Sequence, residues 1–324
     1  MYSTRLPLLV LAAVTSLCAQ KELVILHKAA SSLGFYTLDG APQTVVDVGK
    51  HPHEMVASAD GGLLYITDNG TMRIEHAGEG GNTVSIVDVR ARKKIGEISL
   101  GEYRRPHGIA IDSATGRLAV SCERPDRLLI VDPAGRKIVR TYDTKGKTSH
   151  MVAFGPGAKW AYVSNSGSGN VAAIDLAGGG VQLIPTGARP EGSVLAKDGR
   201  HLYVANREAR SVSIIDTAAN AKVGDIPTGN GPVRIALTPD GKTLVYALIH
   251  DRKVEMADTA TRKVIGQVAL GGAPVSLSVS ADGLRAYASA EEDNKVYVVS
   301  IPDRKLSKTL TLPAGTGPDP VLEW

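Results

Sequence analysis

A unit of about 42 residues recurs along the chain, and a period of that size confines the fold to propellers or solenoids. In the clearest copy Gly187-Ala188-Arg189-Pro190 opens an apolar run and Asp198-Gly199 makes a turn. Tyr203-Val204-Ala205-Asn206 and Val212-Ser213-Ile214-Ile215-Asp216 follow. Each run is short, β-branched and alternating, and Asp-Gly between such runs signals a hairpin, so every unit predicts a four-stranded antiparallel meander. The proline slot reads Pro52, Pro106, Ser149, Pro190, Pro232, Pro274 and Pro318, which makes seven copies. An Asp after the third strand recurs as Asp39, Asp88, Asp132, Asp175, Asp216 and Asp258, with Ser300 in the remaining copy. Aromatics at 4% beside 35 Gly and 17 Pro suit short strands and tight turns better than a helical bundle.

The ends complete the count. Residues 21–48 supply three strands with no opener, while Gly315-Thr316-Gly317-Pro318 opens an innermost strand that runs to Trp324. Pairing the first and last strands in one blade removes the open edge of an incomplete ring. The expectation is an all-β, seven-bladed β-propeller over residues 20–324, closed by its own termini. A linear solenoid would need polar capping repeats.

With the repeat in hand, the chain resembles the YVTN-repeat β-propeller family. Tyr203-Val204-Ala205-Asn206, Tyr162-Val163-Ser164-Asn165 and Tyr65-Ile66-Thr67-Asp68 stand at its signature. The resemblance implies a propeller and says little about activity, because similar chains include lactonase-type enzymes, the propeller half of nitrous oxide reductase and surface proteins. In the reductase family, axial His residues bind a copper cluster. Eight His are too few for that cluster and blades fill residues 20–324, so its reaction is not carried over.

Residues 1–19 read as a secretory signal, with Arg5 as the positive region, Leu6–Leu17 as the apolar stretch and Leu17-Cys18-Ala19 at the cleavage site. The apolar run is short for a membrane span, so no transmembrane segment is expected after its removal. Secretion or a periplasmic location follows. Cys122 is then the one thiol left, and no intrachain disulfide is available.

In a propeller the first strand of each blade lines the channel, and its start shares a face with the loop between the second and third strands. The residue after the proline slot reads His53, His107, His150, Glu191, Val233, Val275 and Asp319. The last residue of the second strand reads His27, Asp68, Cys122, Asn165, Asn206, Leu248 and Ala290. Both rings put polar residues on consecutive blades and apolar ones on the two blades before closure, which suits a ligand-holding mouth. His53, His107 and His150 are candidate ligands for a divalent transition metal, Zn or Cu, with Glu191 as a fourth ligand or a general base. The plainer reading is a wet pore entrance whose imidazoles bond water and carbonyls.

Between Asp68 and Asp88 the spacing is twenty residues where five other copies have ten. The extra segment, residues 70–81, falls on the His face and can bring His76 or Glu75 inward as a lid, or remain a tolerated surface loop. Arg105 and Arg189 precede the axial slot on a basic rim interleaved with acids, which favours a small anionic ligand or an acidic partner. The formal charge of +4 and the lack of interleaved aromatics argue against nucleic acid.

Three functions compete on this reading. The first is an exported binding propeller holding a metal, a small anion or a protein partner at its axial face. The second is a metal-assisted hydrolase or lyase at the His/Glu cluster, and the third is a structural envelope protein with an idle pore. Oligomeric state is not written in the sequence.

Overall fold

The computed structural model describes residues 21–324; the signal reading of residues 1–19 lies outside them. Seven four-stranded antiparallel sheets are present. Six run in chain order outward from strands beginning at Pro52, Arg104, Ser149, Pro190, Pro232 and Ser276, here blades 1 to 6. Blade 7 joins the C-terminal strand Pro318–Glu323 to Glu22–His27, Ser32–Thr37 and Pro42–Asp47. Val24 faces Leu322 and Ile25 faces Val321 in that closing ladder. The seven-bladed ring and its split blade are therefore as the repeat predicts.

Alternation explains the core. In Leu63–Asp68 and its equivalents nearly every side chain is buried, because a middle strand packs against the neighbouring blades on both faces. Apolar clusters bridge adjacent blades: Tyr65, Val84 and Ile98 of blade 1 pack with Ile109, Val120 and Leu129 of blade 2. Each fully buried Val, Ile or Leu of this kind contributes about 1.5–3 kcal/mol. The signature tyrosines serve the same seams. Tyr162 of blade 3 donates its hydroxyl to Asn220 of blade 4 at 2.7 Å.

The feature that builds the site is a repeated irregularity at the hub. In blades 1 to 5 the first and second strands slip register just after the proline slot, between Pro52 and Met55, Pro106 and Ile109, Ser149 and Val152, Pro190 and Ser193, and Pro232 and Ile235. Bulges of this kind release two residues from the ladder and re-aim their side chains. The residue before the slot has positive φ at His51, Arg105, Thr148 and Arg189. A left-handed non-glycine residue costs about 1–2 kcal/mol, so the ring carries this strain at its hub.

Candidate axial site

The bulges of blades 1, 2 and 3 bring the three predicted histidines together. The ring centroids of His53 and His107 are 3.9 Å apart and those of His107 and His150 are 3.8 Å apart, with tilts of 37° and 39°. His107 thus stands between its neighbours. Hydroxyls of the preceding blade hold the strands: Thr67 donates to the His107 carbonyl at 2.8 Å, and Ser121 donates to that of His150. Burial is the largest cause holding all three imidazoles well below the usual histidine pKa, and nearby cations and neighbouring imidazoles add to it. They are neutral rings at neutral pH.

Their tautomers follow from their partners. The Lys28 ammonium lies 3.1 Å from Nε2 of His53, and an ammonium only donates, so Nδ1 of His53 carries the proton and faces Asp319 at 3.4 Å. Nδ1 of His107 lies 2.7 Å from Glu123, which is 3.6 Å from Arg105. With Glu123 ionised, Nδ1–H donates and Nε2 keeps its lone pair. Nε2 of His107, Nδ1 of His150 and both carboxylate oxygens of Asp319 are buried without a hydrogen-bond partner. Burial pushes Asp319 up to about 7, with Lys28 and Arg234 opposing the rise and Glu54 and Glu291 adding to it. Burial likewise raises Glu123 to about 7 against the pull of Arg105.

One ion pair crosses the hub. Arg234 of blade 5 donates to Glu54 of blade 1 through Nη2 at 2.6 Å and Nε at 3.1 Å, both side chains being buried. These are the second bulge residues of their blades, next to Val233 and His53. Lys28, Glu54 and Arg234 escape a search of the first slot alone. Read one residue further, the slots give Glu54, Gly108, Met151, Gly192, Arg234, Ser276 and Pro320, where the opposite charges stand out.

The insertion does cover this face. Met72, Arg73, Ile74 and Glu75 roof a chamber of about 90 Å³ whose wall includes Lys28, His53, His150, Glu191 and Arg207. Arg73 reaches Glu292, in the loop between the second and third strands of blade 6, at 2.6 Å, and Glu75 reaches Arg189 before blade 4 at 2.8 Å. Arg105, 1% exposed, tethers the segment by donating to the carbonyls of Ile74, His76 and Gly78. The His76 side chain itself points to solvent. Asn69, at the base of the insertion, is buried, its amide donating to the Pro106 carbonyl and its oxygen accepting from Thr71.

The second predicted ring does not join the chamber and is corrected accordingly. His27 bonds Ser32 and Tyr36 within blade 7, and burial lowers its pKa to about 4. Asp68 accepts from Gly49, Thr83 and Ser85, Asn165 donates to Thr144 and Asn170, and Asn206 donates to Ser211 and Ser213. Cys122 is core, and burial pushes its thiol up. These strand ends satisfy loops. Of the first ring, Glu191 accepts from Arg189 at 3.0 Å and Arg207 at 3.3 Å, while Asp319 lies 3.3 Å from Lys28. Adjacent imidazoles stack at a tilt, and among the described residues no three His, Cys, Asp or Glu side chains are disposed to hold a metal ion.

Solved structures of similar shape are propellers of several kinds. Kuenenia stuttgartiensis hydrazine synthase is similar with a TM-score of 0.73 at 23% identity, covering 86% of this chain and 92% of that one. A functionally unknown protein from Desulfotomaculum acetoxidans DSM 771 gives 0.77 at 14%, covering 93% and 98%. A dihydro-heme d1 dehydrogenase, NirN, in complex with DHE gives 0.67 at 16%, covering 90% of this chain and 64% of that chain. At these identities the likeness concerns the fold alone. No curated protein sequence matches. Residues 81–285 match the family described as YNCE-like beta-propeller, so the chain belongs to the YNCE-like β-propeller family.

Proposed function

We propose that this protein is an exported binding propeller whose roofed axial chamber takes a small carboxylate-type monoanion. One observation carries the reading: imidazoles with unpartnered ring nitrogens, His53 and His150, line one axial space together with buried charges. Its lining has Lys28, Arg73, Arg189 and Arg207 against Glu75, Glu191 and Glu291, one cation in excess beside neutral imidazoles. An excess cation beside neutral imidazoles favours an anionic ligand. The volume of about 90 Å³ has room for several waters and hence for a small anion such as formate or acetate. The export part rests on the sequence of residues 1–19.

A Zn or Cu ion bound by His107 and His150 is the second reading, favoured by Glu123 behind His107. A carboxylate on the far ring nitrogen fixes the tautomer of a metal-ligating imidazole. Hydrolysis or elimination with Glu191 as base has less support, because two guanidiniums occupy that carboxylate. Titration calorimetry of the purified protein with acetate, and separately with ZnCl₂ and CuCl₂, tests these readings. Acetate binding near one equivalent, abolished by Arg207→Ala with His150→Val, is the expected result. Saturable metal binding without acetate binding would transfer the site to the second reading, and no binding of either would leave a structural propeller.

A further inference from the structure

Glu75 occupies a singular place. It roofs the inner chamber and also lines a groove of about 500 Å³ outside it, together with Thr148, Ser166, Ser168 and Glu208. Ile74 and Arg189 are likewise common to both spaces. The Glu75–Arg189 contact therefore lies on the boundary that the outer groove and the chamber share.

Each arm of the Arg189 guanidinium has its own carboxylate. Nε donates to Glu191 at 3.0 Å, Nη1 to Glu208 at 3.4 Å and Nη2 to Glu75 at 2.8 Å. Glu191 belongs to the chamber wall and Glu208 to the outer groove, and both sit on blade 4 or its loops. Glu75 alone comes from another blade, carried by a loop inserted into blade 1. The Arg189 side chain is 26% exposed and that of Glu75 is 63% exposed, so one partner is a sheltered cation and the other a solvated carboxylate held at the end of a loop.

We infer that Nη2 of Arg189 is the carboxylate-binding arm of the axial site and that Glu75 is a built-in competitor which a ligand carboxylate displaces. The inference rests on the anion-binding reading above and names the residue that tunes it. Guanidinium and carboxylate match in geometry whether the carboxylate is a side chain or a free anion. Replacing one with the other conserves the charge count around Arg189, so the chamber accepts the ligand without an added unpaired charge. The loop stays anchored meanwhile, because Arg105 holds its carbonyls from below.

Acetate titrations of wild type, Glu75→Gln and Glu208→Gln test the inference. The two carboxylates are 63% and 60% exposed and lie on the same guanidinium, so Glu208→Gln reports the loss of one nearby charge without freeing the Nη2 arm. An exposed ion pair is worth up to about 1 kcal/mol, so loss of the competitor is expected to tighten acetate binding by about fivefold in Glu75→Gln. Glu208→Gln is expected to stay within twofold of wild type. Equal tightening in both variants would reduce the effect to general electrostatics and overturn the inference. Unchanged or weaker binding in Glu75→Gln would also overturn it, by making Glu75 a bystander or a retaining latch, while leaving the anion-binding reading intact. If acetate binds to none of the three proteins, both fall together.

Discussion

The two halves of the hub are built from the same repeat and carry opposite chemistry. Blades 1, 2, 3 and 7 place His53, His107, His150 and Asp319 at the channel, whereas blades 5 and 6 place Val233 and Val275 at the corresponding position. Behind those valines Leu248 and Ala290 are buried in apolar clusters. The bulge fixes only where a side chain is aimed; its chemistry is free to vary from blade to blade. The apolar half still acts on the polar half by excluding water, and water exclusion is the main reason the imidazoles are neutral. Blade 5 does both, presenting Val233 to the chamber and sending Arg234 across to Glu54.

Breaking that bridge should have the largest effect. Glu54→Ala leaves Arg234 buried without its partner, and removing one member of a buried pair costs about 3–5 kcal/mol. Urea denaturation would measure it. Glu54→Leu with Arg234→Met should recover most of the loss, since a matched apolar pair restores the balance; failure to recover would mean the pair is needed for packing between the halves. The next effect concerns how tightly the polar blades approach. A Cβ at Gly108 would stand 2.6 Å from the His150 carbonyl oxygen and 2.8 Å from the Met151 Cα, so Gly108→Ala must push the blade 3 strand aside. Such overpacking costs about 1–3 kcal/mol. Blade 6 has Ser276 at that position, and Ser276→Ala should be nearly neutral by the same assay.

Asp319 gives the most diagnostic effect. Lys28, His53, Glu54, Arg234 and Glu291 face it, and burial lifts its folded pKa to about 7 from the ordinary carboxylate value of 3.8. The native state therefore holds a proton that the unfolded chain has released between about pH 4 and 7. By linkage, this group's contribution is complete below pH 4 and is lost as pH rises through 7. Asp319→Asn removes that loss, so the variant should gain on wild type by up to about 1.4 kcal/mol per pH unit across this window. The buried histidines tilt stability the other way, because an unfolded imidazole takes up a proton near pH 6.5 and the folded ones do not. Denaturation of both proteins between pH 5 and 8 separates the terms; identical slopes would show Asp319 to be ionised throughout.

Much of the hub was legible because the repeat fixes register. The proline slot located His53, His107 and His150 without any knowledge of distance, and all three meet within stacking range. The second ring misled because a strand end that is polar has two uses: Asp68, Asn165 and Asn206 are spent on hydrogen bonds to the preceding loop or the neighbouring strand of their own blades. Lys28 was invisible for a different reason. It lies in the turn after Glu22–His27, outside both slots, and reaches His53 and Asp319 only because blade 7 closes beside blade 1. The insertion announced its position through a doubled spacing. Its crossing to blade 4 and Glu292 depends on where Arg189 and Glu292 stand in the ring.

The chain by itself determined the sheet count, the closure by its own termini and the identity of the residues brought to the axis. These follow from alternation, turn residues and spacing, all of them local and repeated. Tertiary structure decided which nitrogens lack partners, which carboxylate faces which cation and what the inserted loop covers. Those relations join side chains from different blades, and only the closed ring brings them within hydrogen-bonding distance.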